Sequence, residues 1–313
     1  MSNEGFSKRP GSSRDRPARV AMPMLAVLAA AVLALLGVAA WLLWGAADPG
    51  DADATGGGPD DRAGTHAPPS SPPASRDPHT PGPTRESAPL RGRTVVVDPG
   101  HNPHNRDHPG KISRPVDIGT GKKECDTTGT ATNSGYAEAE FTLDLARRVR
   151  TALQARGATV KFTHDGKTPY GPCVDERAQK GNSAKADAVI SLHADGAPSG
   201  ARGFHVILPA SVHKGDADTR RIVGPSRRLG TAVRDNFREA TDERPANYLG
   251  DGKGLDTRED LGGLNLSRVP KVFLECGNMR DARDAAHLTS VKWREKAAHG
   301  ISDGITAFLR GKG

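Results

Sequence analysis

Cysteine is scarce in this chain of 313 residues, with only three. Three thiols cannot make a disulfide-dense miniature scaffold, nor a four-thiolate zinc or iron–sulfur site. Aromatic side chains are also few, seven Phe, three Tyr and three Trp, which argues against a base-stacking surface or an aromatic-lined sugar groove. No nucleic-acid partner is therefore expected. The G-x-S-x-G match at Gly300–Gly304 falls inside the helical run expected at 291–310 and not at a strand-to-helix turn, so a serine hydrolase of the usual α/β type is disfavoured. HExxH and any H-x-H pair are missing, which removes the common zinc-peptidase signature. No internal repeat is visible.

What the chain does have is an abrupt change of composition along its length. From Met24 to Trp44 run 21 uncharged residues, apolar but for Gly37. At ~1.5 Å per residue they reach roughly 32 Å, the thickness of a bilayer's hydrocarbon core. We read 20–44 as a transmembrane signal-anchor. Lys8, Arg9, Arg14, Arg16 and Arg19 in the tail 1–19 orient it with the N-terminus in the cytoplasm. The alternative is a secreted protein whose signal peptide is cleaved near Gly45-Ala46-Ala47. Residues 45–90 then hold ten Pro and seven Gly and almost no large apolar side chain. Such a stretch cannot offset its chain entropy, so 45–91 is expected to be a disordered tether spanning on the order of 35–40 Å. Net charge is +3 on 1–19, −4 on 45–90 and +8 on 91–313, a balance suited to an anionic matrix such as a bacterial wall.

Beyond residue 91 strands alternate with helices. TVVVD (94–98) is β-branched and apolar and is stopped by Pro99-Gly100; similar runs recur at 158–163, 188–193, 203–208 and 271–275. Helical spacing covers 137–156, with Phe141, Leu145, Val149 and Ala152 on one stripe and Gly157 as its C-terminal stop. Further helices are expected at about 175–185, 225–240, 281–289 and 291–310. The pattern predicts a single α/β domain over 92–313, its mostly parallel or mixed twisted sheet covered by helices on both faces. Residues 102–135 break the pattern with Gly, Thr, Asn, Asp and Lys and no apolar period; a loop of that length after the first strand suits a lid or hairpin over a cleft.

Candidate chemistry lies at strand ends, where α/β sheets bind ligands. His101 follows the first strand, His193 ends the run 188–193 and Glu275 ends 271–275. Taken singly, each is more often a structural residue; their convergence is the signal. At ~100° per residue Glu138 falls within about 20° of Leu145 and Val149, whereas Glu140 lies about 200° away and faces water. An acid on an apolar stripe must be paired, protonated or bound to metal, although a dipole-stabilised surface Glu is the simpler alternative. Two imidazoles and a carboxylate are the ligand set of an open zinc site, with Glu275 as general base. A non-catalytic wall-binding module and a two-carboxylate glycosidase built on Glu138 and Glu275 are the remaining competitors.

In order, VVVDPGH (95–101), GYAEAEFTLDLA (135–146), AVISLHAD (188–195) and VPKVFLECGNMRDARDAAHL (269–288) resemble the zinc-dependent N-acetylmuramoyl-L-alanine amidases of the type 3 family, in particular their actinobacterial and mycobacterial branch. The resemblance covers essentially 93–310. It implies that His101, Glu138 and His193 hold one Zn2+ and that Glu275 is the catalytic glutamate. It further implies a peptidoglycan substrate, cut at the amide between the lactyl group of N-acetylmuramic acid and L-alanine. The chain departs from the family pattern at Asn102-Pro103-His104-Asn105, where many members continue with glycines, which makes His104 a competing ligand; it departs again at Ala139, where many carry Lys. Similar proteins of this branch are bridged at positions matching Cys125 and Cys173. That bridge closes a 48-residue loop worth roughly 4 kcal/mol in the chain-entropy model and suits an exported domain. Cys276, next to Glu275 on a strand, is expected to face the opposite side as a buried small hydrophobe. The protein is read as a monomer.

Overall fold

In the computed structural model, residues 88–311 are described. The basic tail, the apolar run 20–44 and the tether up to residue 87 lie outside them. Among the described residues no helix is long and apolar enough to cross a membrane. Leu90, assigned above to the tether, is fully buried in the main core, and its N–H donates to Arg156 O at 2.9 Å. Folded structure therefore starts before residue 92, with Ala88 and Leu90 both buried.

The chain runs β1 (Thr94–Pro99), α1 (Pro109–Ile112), β2 (Pro115–Asp117), β3 (Lys122–Glu124), α2 (Glu138–Ala155), β4 (Thr159–Phe162), α3 (Val174–Ser183) and β5 (Ala188–Asp195). It continues through β6 (His205–Pro209), β7 (His213–Lys214), β8 (Ala217–Asp218), α4 (Val223–Thr241), β9 (Leu255–Arg258), α5 (Gly262–Asn265), β10 (Lys271–Asn278), α6 (Ala282–Thr289) and α7 (Val291–Leu309). Six strands form one mixed sheet in the order β4-β1-β5-β10-β6-β9. β4, β1, β5 and β10 are mutually parallel, β6 runs antiparallel to β10, and β9 is parallel to β6. The α/β reading holds; it missed β9 in the main sheet and the short β7–β8 pair beside it. LDTR carries two charges and pairs only with β6 at the sheet edge, so it has no two-sided apolar run to betray it.

Alternation along the strands divides the sheet into two faces. Val95, Val97, Ile190, Leu192, Val272, Leu274 and Cys276 point into the main core, against α2, α4 and α7. The helix stripe predicted over 137–156 is present but ends on Leu153 rather than Ala152, the position four residues after Val149. Gly157, at φ +90°, closes that helix and donates to Gln154 O. The opposite face carries Val96, Val189, Asp98, Ser191, His193, Lys271, Phe273 and Glu275, and is covered by α3, α5 and the β2–β3 hairpin. The excursion 102–135 thus contains a hairpin, as expected. Its Val116 and Ile118 pack with Val174 around the Cys125–Cys173 disulfide in a small apolar cluster of their own.

Candidate active site

Four elements deliver side chains to one end of the sheet. His101 lies two residues beyond β1, in the left-handed region at φ 60°, a conformation that costs a non-glycine residue of order 1–3 kcal/mol. His193 and Glu275 are direct neighbours across β5 and β10. Glu138 is the first residue of α2 and is 4 % exposed, confirming that an acid sits on the apolar side of that helix. One atom from each of His101, Glu138 and His193 lies within 4.8 Å of the others. Glu138 Oε1 is 2.9 Å from His193 Nδ1 and accepts the Ala194 N–H; Oε2 is 3.2 Å from His101 Nε2 and accepts from Thr130 N. The helix start favours its negative charge.

Two glycines make room for this packing. A Cβ on Gly129 would sit 2.7 Å from both Glu138 Oε2 and His101 Cδ2, and one on Gly100 would meet the His193 ring at 2.4 Å. Gly129 also adopts φ +73°, where any side chain is strained.

The two carboxylates of the site are driven in opposite directions. Burial opposes ionisation of Glu138, but His101 and His193 outweigh it and hold its pKa far below the ordinary range. Burial, Glu138 and Asp195 together push Glu275 well above it, and Glu275 Oε2 is buried without a hydrogen-bond partner. His101 is disfavoured as a cation by burial, yet Glu138 and Asp126 prevail and raise it to about 10. The two acids are thus split, Glu138 favoured as the anion and Glu275 as the protonated form.

Of the remaining sequence candidates, His104 is exposed and stands apart from the group. The asparagines beside it explain why: Asn102 Nδ2 donates to Gly171 O at 2.9 Å and Asn105 Oδ1 accepts from Gly171 N at 2.8 Å, turning the loop away. Ala139, the other departure from the family pattern, is buried, 2 % exposed. Cys276 is a free thiol in the core, on the other face from Glu275, and burial raises its pKa.

Several residues escaped sequence reading. Asp98 is 1 % exposed and binds Arg177 Nη1 at 2.8 Å, Lys271 Nζ at 3.2 Å, Ser191 Oγ at 2.5 Å and Thr163 Oγ1 at 2.6 Å. Phe273 stacks on the His193 ring at 5.1 Å. A cavity of about 300 Å³ lies against His101, His193 and Phe273, walled by Lys123 of the hairpin and by Leu261. Lys123 Nζ meets Asp260 at 3.2 Å, and Asn265 Nδ2 donates to Ile118 O, so the hairpin is fastened over this end of the sheet. On the far side of Glu275, His205 is its cross-strand neighbour, and Tyr248 Oη donates to Asp195 Oδ2 at 2.8 Å.

An α/β sheet that sets a His–Glu–His group beside a buried, unpartnered glutamate has the make-up of a metal-assisted hydrolase. The family model for N-acetylmuramoyl-L-alanine amidases (Amidase_3) matches residues 95–307, and the chain belongs to that family. It is 39% identical over 225 residues to the N-acetylmuramoyl-L-alanine amidase Rv3717 of Mycobacterium tuberculosis, covering 72% of this chain and 89% of that one. The crystal structure of the amidase Ami1 from Mycobacterium smegmatis superposes with a TM-score of 0.64 at 41% identity, covering 70% of this chain and 98% of its own. The apo form of Ami1 from Mycobacterium abscessus gives 0.63 at 41% identity, with 70% and 100% covered.

Proposed function

We propose that this protein is a membrane-tethered peptidoglycan hydrolase that cuts the amide between the lactyl group of N-acetylmuramic acid and the first L-alanine of the stem peptide. The observation that carries the mechanism is the placing of Glu275, proton-hungry and unpartnered, next to the His101–Glu138–His193 group. Two imidazoles and one carboxylate suit Zn2+ with a position left open, and the close glycines at 100 and 129 leave the three side chains room to converge. When bound, zinc polarises the scissile carbonyl and lowers the pKa of water to roughly 7. Glu275 accepts the proton of the attacking water and returns it to the alanine amine as that group departs. Phe273 and Leu261 line the adjoining cavity. A glycosidase would need Glu138 as a second free acid, and both its oxygens are already engaged by His101 and His193.

Two measurements on the full chain in detergent test the reading. Elemental analysis is expected to find one zinc per chain, with activity abolished by chelation and restored by Zn2+. Mass spectrometry of digested peptidoglycan is expected to find stem peptides with new alanine amino termini; new reducing sugar ends would refute the amidase reading.

The run 20–44 anchors the protein, residues 45 to about 87 carry the catalytic domain outward, and its +8 charge favours an anionic wall. The segment 102–135 restrains access. Cys125 N donates to Arg114 O at 2.7 Å, so a two-glycine link can replace Pro115–Glu124 without stretching the chain. That variant is expected to turn over peptidoglycan faster than the parent; equal or slower cleavage by a folded variant would show that the hairpin serves the substrate.

A further inference from the structure

We propose that Asp126 and Arg177, braced by the Cys125–Cys173 bridge, are positioning residues that hold His101 in its metal-binding pose; the inference rests on the metal reading above. His101 occupies a left-handed backbone conformation immediately after β1, and something must hold it there. Arg177 supplies the clamp. Its Nη2 donates to His101 O at 3.0 Å, Nη1 to Pro99 O at 2.6 Å and Nε to Pro172 O at 2.8 Å, so one planar guanidinium ties both sides of the turn.

The same guanidinium aligns a carboxylate behind the imidazole. Arg177 Nη2 donates to Asp126 Oδ2 at 2.8 Å, while Asp126 Oδ1 lies 3.4 Å from His101 Nδ1. Thr127 O lies 3.1 Å from that nitrogen, leaving Nε2 to face Glu138. Oxygens behind Nδ1 decide which nitrogen is turned toward a cation and raise its basicity. Asp126 and Arg177 are 6 % and 5 % exposed, so water does not compete for either.

The disulfide joins the two halves of this device. Asp126 directly follows Cys125; Cys173 is the N-cap of α3, the helix that carries Arg177 one turn further on. Val174 N also donates to Cys125 O at 2.8 Å. The bridge therefore fixes the spacing between loop and helix on which the Asp126–Arg177 contact depends.

The test is zinc affinity rather than turnover. The full chain in detergent is stripped of metal, and Zn2+ is titrated in competition with a chromophoric chelator at a temperature where circular dichroism shows the zinc-free protein folded. Asp126→Asn is expected to bind Zn2+ about 10–100-fold more weakly than wild type. Arg177→Lys, which keeps the charge but loses the fork, and Cys125→Ser/Cys173→Ser, which leaves every residue of the site in place, are expected to shift affinity in the same direction. A residue that merely supported the fold would lower the melting temperature and leave the affinity of the folded protein unchanged. Wild-type affinity in folded Asp126→Asn overturns the proposal, and if that variant does not fold, wild-type affinity in the serine double variant does so. Failure of the wild-type chain itself to bind Zn2+ would remove the metal reading, and this inference with it.

Discussion

Replacing Glu275 by Gln is expected to leave a folded protein that still binds zinc and peptidoglycan but cleaves about 10²- to 10⁴-fold more slowly, the range over which a positioned general base contributes. The substitution is nearly isosteric. It removes no internal hydrogen bond from Oε2, which has none, and it relieves the repulsion from Glu138 and Asp195 that raises the proton affinity of this carboxyl. Stability should therefore hold or improve while kcat collapses. Release of alanine amino termini from purified walls measures the rate, and a pull-down with insoluble peptidoglycan measures binding. A Gln variant retaining a tenth or more of the parental rate would remove Glu275 from the chemistry.

The second large effect is on stability. Asp98→Ala is expected to destabilise the domain by about 3–5 kcal/mol, because it strands buried Lys271, which pairs with this carboxylate, and leaves buried Arg177 with Asp126 as its remaining acid partner. Burial of Asp98 alone would raise its pKa; Lys271, Arg177 and the hydroxyls of Ser191 and Thr163 outweigh it and hold the group far below its ordinary value. A carboxylate whose pKa is depressed on folding stabilises the native state above its unfolded pKa of about 3.9, and this contribution fades as pH falls below that point. Urea unfolding should thus show stability dropping from about pH 4 downward, with a shallower drop in Asp98→Asn. An Asp98→Ala protein with wild-type urea midpoint would show that Lys271 finds another partner.

How far the site could be read in advance depended on the kind of signal each residue left. His101, His193 and Glu275 were legible because apolar strands ended beside them, and Glu138 because an acid broke a helical stripe. Lys271 opens the run 271–275 with nothing in the sequence to mark it as interior, yet it is fully buried because Asp98 lies within reach on the same face of the sheet, 173 residues earlier. Asp126 sits in a loop without period, and Arg177 on a mostly polar helix; their roles come from contacts 51 residues apart, which no local pattern encodes. The linker boundary slipped for a related reason: Leu90 is one apolar residue after a proline, and only the cavity it fills in the core makes it part of the domain.

Strand direction reverses between β10 and β6, and the reversal falls beside Glu275. On the His101 and His193 side, the chain leaves the sheet at this edge; on the other, it enters, with His205 as the first residue of β6 and β9 running the same way. The two banks of the reaction centre are consequently made by independent stretches, 100–135 on one side and 196–204 with 242–254 on the other. Residues 242–254 can therefore change in length or charge without moving the strand ends that carry His101 and His193.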